Sequence, residues 1–371
     1  MAGRTKNRID KPLASLIAIL IISGALIFAS AAFGLLARGS SMSSVFFSHL
    51  VLGLGLGSVL LVALTYIDYR VWKPYTPYIF ALSILATAAV FVPHIGMSHG
   101  GGRRWIVLMN MSFQPSEAMK VGAILFAATY FSVYKNKIGT LLYGLGGFFG
   151  ILAVPAAILI LQPDIGTLSI ICFSVGAMFL AAGASVRDLL LVLVIGILGL
   201  GLLATMKPYI RDRVETFLNP AQGQQGQSYQ IKQSLIAVGS GGFTGRGFGQ
   251  GIQKFTYLPE PMGDSIFAVA AEELGFLGAG FLILLYLSFA LRGYTVSARA
   301  PDMFGALLGI GICTYLVVEA FINIAAMLGV APLTGIPLTF ISQGGSAMLV
   351  SLAAAGLLLS ISRFKSARTS A

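Results

Sequence analysis

Asp264, in the run LPEPMGDSIFAV, stands where a long polar stretch meets an apolar one, with Glu260, Lys254 and Arg246 shortly before it. A carboxylate at that junction can cap the helix that begins beside Ser265, and residue statistics alone favour this use. A partly desolvated carboxylate at a membrane surface, beneath a glycine-rich loop, can instead accept a proton from a sugar hydroxyl. A second cluster lies in HGGGRRWIVLMNMSFQPSEAMK. Arg103 and Arg104 form a natural fork for phosphate or pyrophosphate, and Trp105 suits an interfacial anchor. Pro115 favours a helix start, and Glu117 and Lys120 at i, i+3 can pair on that helix. The plainer reading is an amphipathic re-entrant segment held by its own salt bridge, and the two readings are compatible.

The remaining acids sort by position. Glu272, Glu273 and Glu319 fall in apolar runs, where an ionisable group is expensive and demands a role. Glu319 and Asn323 at i, i+4 give one helix a polar face, and Glu272 lies roughly 12 Å along the axis from Asp264, too far for a carboxylate dyad. Structural hydrogen bonding is expected for all three glutamates, with a proton pathway as the sharper alternative. Asp212 and Glu215 are expected to pair with neighbouring arginines, while Asp10, Asp68, Asp188 and Asp302 read as solvated charges at cytoplasmic edges. The run GSGGFTGRGFGQG holds seven glycines but lacks the spacing of a phosphate-binding loop and any βαβ context. It marks a backbone that turns tightly or approaches something closely. Cys172 and Cys313 sit in apolar runs, and His49, His94 and His99 show no metal-ligand spacing, so no cofactor is evident.

The elements that must position these groups are membrane helices. Of 371 residues 57% are apolar and 10% charged, against about 25% charged in soluble domains. Apolar runs approach the roughly 20 residues a helix needs to cross the hydrocarbon core, and they lack the alternation of a transmembrane β-barrel. Ten segments are expected, at 13–36, 45–66, 76–92, 119–134, 140–161, 166–183, 188–206, 265–291, 303–328 and 338–362. The chain thus reads as one all-α polytopic membrane domain. A tail over 1–12 precedes helices one to seven in 13–206; an extracytoplasmic loop over 207–264 precedes helices eight to ten in 265–362 and a tail over 363–371. The first helix is expected to be retained, since no small-residue cleavage site precedes its end.

With both termini cytoplasmic, fourteen of the 24 basic residues lie inside, among them Arg4, Lys6, Lys365 and Arg368. The short outer loops then hold only Arg38, as the positive-inside rule requires. The net charge of +11 needs no nucleic acid, because topology and anionic lipid account for it. Within the long loop, KPYIRDRVETFLNP and SYQIKQSLIAV read as amphipathic helices lying along the membrane.

Six stretches in order carry a family resemblance: RRW, FQPSEAMK, QPDIGT, NP followed by GQSYQIKQSLIAVGSGG, GIQKFTYLPEPMGDSIFAVAAEELGFLG, and NIAAMLGVAPLTGIPLTFISQGGSAM. The chain resembles the SEDS proteins, the FtsW/RodA group, from first span to last. QSLIAVGSGG, IQK, YLPEP and LTGIP look closer to FtsW, whereas MGD, PLTF and Gln343 depart from the familiar pattern and leave the aspartate in place. The resemblance implies a bacterial inner-membrane peptidoglycan glycosyltransferase. It would polymerise lipid II, the undecaprenyl-linked disaccharide pentapeptide, on the outer face. Asp264 would be the general base; Arg103, Arg104, Lys120 and Lys254 would offer positive charge to the pyrophosphate, with Trp105, Glu117 and Glu260 lining the substrate site. A divalent cation could assist, although no metal motif is present. The partners implied are a class B penicillin-binding transpeptidase and divisome or elongasome proteins. A lipid II flippase or other lipid-linked transporter working through the buried glutamates is the alternative, and a non-catalytic scaffold is a third possibility.

Overall fold

A computed structural model describes residues 8–37, 47–99, 102–108, 111–219 and 226–364. Arg4, Lys6, Arg38, Lys365 and Arg368 of the topology argument lie outside the described residues, as do Gly100, Gly101 and Pro220 of the motifs. α1 spans Lys11–Ala37. A π-helical stretch, Phe47–Leu56, runs into α2, Gly57–Tyr66, and a 3-10 stretch, Tyr69–Tyr75, leads to α3, Thr76–Ala88. α4 (Pro115–Val133), α5 (Leu145–Leu161), α6 (Ile165–Ala181) and α7 (Val186–Met206) follow. The loop helices are α8 (Pro208–Leu218), α9 (Gln227–Ser240) and the short α10 (Gln253–Thr256). α11 (Ile266–Ala298), α12 (Met303–Met327) and α13 (Gly345–Ser362) complete the chain.

Among the described residues, seven helical segments are long and apolar enough to cross a membrane, and α5 and α6 are shorter apolar helices. α4 covers the remaining expected segment and carries buried Glu117 and Lys120. The expectation of an amphipathic re-entrant segment before α4 needs correction. Gly96–His99, Gly102–Leu108 and Met111–Phe113 form an antiparallel three-stranded sheet, β1 to β3. Glycine-bounded runs rich in β-branched and aromatic residues favour strands, and the RRWIV run is one. The last expected span also starts later, because residues 329–344 form irregular chain that folds back over the site.

α12 is the central post, packing against α4, α6, α11 and α13. Small residues allow the close approach: an added Cβ at Gly309 would meet Ser297 Oγ at 2.4 Å, and one at Gly311 would meet Met178 Sδ at 2.4 Å. Such contacts replace the hydrophobic drive that lipid removes. α7 is the opposite case and buries none of its residues.

The aspartates expected as solvated charges at one end of the bundle are in fact partnered. Asp10 is buried, caps α1 through the Leu13 N–H and pairs with Arg292 at 2.6 Å. Asp302 caps α12 at Gly305 and accepts from Arg70 and from the Tyr69 hydroxyl. Asp188 completes a capping box with Ser185, and Asp68 accepts from the Arg70 N–H. Charges at helix ends are drawn to unsatisfied backbone donors, which a purely solvated reading overlooks.

Candidate active site

Asp264 lies in a tight loop between α10 and α11. Glu260 adopts a left-handed backbone, φ 46°, and its carbonyl accepts from the Gly263 and Ser265 N–H groups. Ser265, not Asp264, occupies the N-cap of α11, and its hydroxyl accepts from Gln230 on α9. The 329–344 segment holds the loop from the other side: Ser342 Oγ donates to the Gly263 carbonyl, and the Gln343 N–H donates to that of Met262. Gly335, at φ 71°, comes so close that an added Cβ would sit 3.5 Å from Asp264 Oδ2. Asn323, on α12, donates to the Asp264 carbonyl at 2.8 Å and to the Ile336 carbonyl at 2.8 Å. The LTGIP motif is therefore the far wall of the aspartate's seat.

The Asp264 side chain is half-buried. Burial, and then the Glu260 carboxylate, push its pKa up to about 6, while Arg213 and Arg104 oppose the rise. Arg104, on β2, donates to the carbonyls of Gln162 and Pro163. Arg213, on α8, donates to the Thr334 carbonyl at 3.4 Å, and burial and the nearby Arg104 charge lower its pKa. Both guanidiniums line a pocket of about 300 Å³ with Pro163, Tyr209, Asp212, Thr216 and Gln227. Two like charges sharing one pocket favour an anion, and planar guanidiniums suit phosphate oxygens.

The other expected site residues lie elsewhere. Arg103 is exposed. The β1–β2 register slips here, Met97 pairing with Trp105 and Ser98 with Arg103, so Arg104 is the extra residue of a β-bulge, and its guanidinium turns to the Gln162 and Pro163 carbonyls while Arg103 stays exposed. Glu117 and Lys120 do pair, at 2.8 Å, but deep in the bundle, where Lys120 Nζ also meets Glu319 Oε2 at 2.6 Å. Lys254 is fully buried, 2.5 Å from Glu273 Oε1 and 2.9 Å from Ser30 Oγ. Its charge is matched inside the protein. Glu260 is exposed beside Asp264.

The glutamates hold structure, as expected. Glu272 accepts from the Ile252 and Gln253 N–H groups, and Glu273 from that of Gly249. α11 breaks at Gly275, φ 65°, and the glycine loop plugs the break. Phe276 and Leu277 donate to the carbonyls of Gly242 and Phe243, while Arg246 and Gly247 donate to those of Glu272 and Glu273. A Cβ on Gly245 would meet the Glu273 carbonyl oxygen at 2.1 Å. What the glycine run approaches closely is the protein's own helix. Asp164 of QPDIGT likewise has a structural post: it caps α6 through Thr167 and accepts from Ser116 and Gln114 of FQPSE. Among the described residues, no group of three or more His, Cys, Asp or Glu side chains could hold a metal.

A family model described as a cell cycle protein, FtsW/RodA/SpoVE, matches residues 11–367. The chain belongs to the FtsW/RodA/SpoVE family. It is 35% identical over 361 residues to stage V sporulation protein E of Bacillus subtilis, covering 97% of this chain and 99% of that one. It is 37% identical over 297 residues to a probable peptidoglycan glycosyltransferase FtsW of Geobacter sp., covering 80% and 81%. Among solved structures, RodA of Thermus thermophilus matches with TM-score 0.70 at 26% identity, covering 96% and 97%. A chain from a peptidoglycan synthase complex that coordinates polymerisation and crosslinking matches with TM-score 0.75 at 28% identity, covering 96% and 98%.

In this FtsW/RodA/SpoVE member the sequence reading missed Arg213, Tyr209 and Gln227. The signal was present: Arg213 falls among Ile210, Val214 and Phe217, on the apolar face of α8. A cation on that face must find a polar pocket rather than lipid.

Proposed function

We propose that the protein is an inverting peptidoglycan glycosyltransferase that polymerises lipid II. The observation that carries this is the raised carboxyl of Asp264 set against the paired guanidiniums of Arg104 and Arg213. Asp264 takes the proton of the acceptor's GlcNAc 4-hydroxyl, the oxygen attacks the anomeric carbon of the donor MurNAc, and undecaprenyl pyrophosphate leaves. A base held near neutrality suits that transfer. The leaving group departs as an anion and needs positive charge rather than a strong acid, which the two arginines supply. The α-linked donor becomes a β-1,4 product in one displacement, so no covalent sugar intermediate forms. Exposed Arg103 and half-buried Trp105 would meet headgroups, while Glu117, Lys120 and Lys254 support the site from within.

The names of the relatives support this reading, and so does the placement of the glutamates. A transporter needs ionisable groups that can change partners along a path, whereas Glu272 and Glu273 are engaged by the loop and Glu319 by Lys120. The basic residues support cytoplasmic termini, ten spans and a site on the outer face. The solved synthase complex supports a class B penicillin-binding transpeptidase as partner, in division or elongation. The test is purified protein with that partner and labelled lipid II. Wild type makes polymer and Asp264→Asn makes none. Failure of the wild type to polymerise, or equal product from the variant, overturns the reading.

A further inference from the structure

The glycine loop presents two different sides. Its inward side is polar and largely bonded within the protein. The Gly245, Arg246, Gly247, Gly249, Gln250, Ile252 and Gln253 N–H groups are all bonded within the protein. The Lys254 ammonium is neutralised by Glu273 and also donates to the Gly249 carbonyl. Its outward side carries three large apolar side chains, Phe243, Phe248 and Ile252, 65%, 53% and 51% exposed, among exposed Thr244, Arg246 and Gln250. In water neither property is required. Irregular backbone is tolerated at membrane depth only where its polar groups are satisfied by protein, and exposed aromatics then face lipid.

The loop also continues the lipid-facing side of α11. Phe243 stacks on Phe276, with ring centroids 5.8 Å apart, and below Phe276 the exposed residues Leu277, Phe281, Leu284 and Leu291 form one apolar band. That band ends at Arg292, paired with Asp10 at the opposite end of the helix. The rise from Arg292 to Gly275 is about 25 Å, within the roughly 30 Å hydrocarbon thickness. Arg246, whose side chain is 38% exposed beside Glu272, can reach the headgroup layer from there.

We infer that the Gly241–Ile252 loop is a re-entrant turn whose Phe243, Phe248 and Ile252 are embedded in the acyl chains of the leaflet nearest the site. The ligand of this surface is lipid, and its seating fixes the depth of the α11 arm that carries Asp264. The inference concerns bilayer position alone and stands or falls apart from the glycosyltransferase reading.

Single spin labels test it. The full chain, with Cys172→Ala and Cys313→Ala, carries Phe243→Cys, Phe248→Cys or Glu215→Cys and is reconstituted in phosphatidylethanolamine and phosphatidylglycerol vesicles. Power saturation compares collision with oxygen, which concentrates in acyl chains, and with a water-soluble nickel chelate. Labels at 243 and 248 should collide mainly with oxygen, and the label at 215, on the polar face of α8, mainly with nickel. Nickel dominance at 243 and 248 overturns the inference, because the loop then stands in water. Labels reached by neither agent also overturn it, because protein then covers the turn. Ile252→Cys gives the same readout should the phenylalanine variants fail to fold.

Discussion

Asn323 holds Asp264 by its backbone, not by its carboxylate. One side-chain amide donates to the Asp264 carbonyl and to the Ile336 carbonyl, both at 2.8 Å, so the backbone is fixed in place while the carboxylate oxygens are not used by this contact. Glu319, one turn away on the same face, is tied to Lys120. The post that carries the seat is thereby anchored beneath it.

Asn323→Ala should leave two carbonyls without a donor and cost about 1–3 kcal/mol of stability. Polymerisation should fall by at least tenfold, mostly in kcat, since the base moves without losing its charge. Thermal unfolding and initial rates with labelled lipid II check both parts.

Activity and stability should respond to acid in opposite directions. With the Asp264 carboxyl raised to about 6, the rate falls as pH drops through that value and the base is protonated. The folded state then binds the proton more tightly than the unfolded chain. Asp264 therefore destabilises the fold at neutral pH, and that penalty is relieved as pH falls from about 6 to the ordinary carboxylate value near 4. Melting curves of wild type and Asp264→Asn across this window should converge at the acid end. Parallel curves would show that the carboxyl is not perturbed.

Arg213→Ala should weaken the anion pocket and also shift the pH profile. Loss of one guanidinium lowers kcat/KM for lipid II by roughly 10- to 1,000-fold if the charge meets the leaving pyrophosphate. Because Arg213 holds the Asp264 pKa down, its removal should move the acid limb of the rate profile to higher pH. Arg213→Lys should restore the limb better than the rate, since a point charge lacks the fork.

Lys120→Met should strand Glu117 and Glu319 in the bundle and cost about 3–5 kcal/mol. Combining it with Glu117→Leu and Glu319→Leu should recover most of that loss, as apolar replacement of buried ion pairs commonly does. Unfolding in matched detergent measures both.

The apolar runs were legible because length and hydropathy decide helices in lipid whatever the tertiary contacts. The position of Asp264 at the entry to a span was legible because so few acids exist and each could be placed. Its setting was not. The pocket needs β2, the turn before α6, α8 and the start of α9 brought together, and no periodicity reports that Arg104 and Arg213 meet across more than a hundred residues. Lys254 and Lys120 illustrate the same limit. Lys254 looks in sequence like a free charge near the site and is consumed by Glu273, while Lys120, expected to pair with Glu117, is also bound by Glu319, distant along the chain. The RRWIV strand was obscured by the amphipathic pattern around it.

α7 buries no residue, yet only Lys207 separates it from α8, where Tyr209 and Arg213 form one side of the pocket. One side of the pocket is thus mounted on a helix that buries none of its own residues in the bundle and stands among lipid. Bilayer thickness and lateral pressure become terms in the geometry of the site, and a micelle and a membrane need not present the same distance between the two arginines.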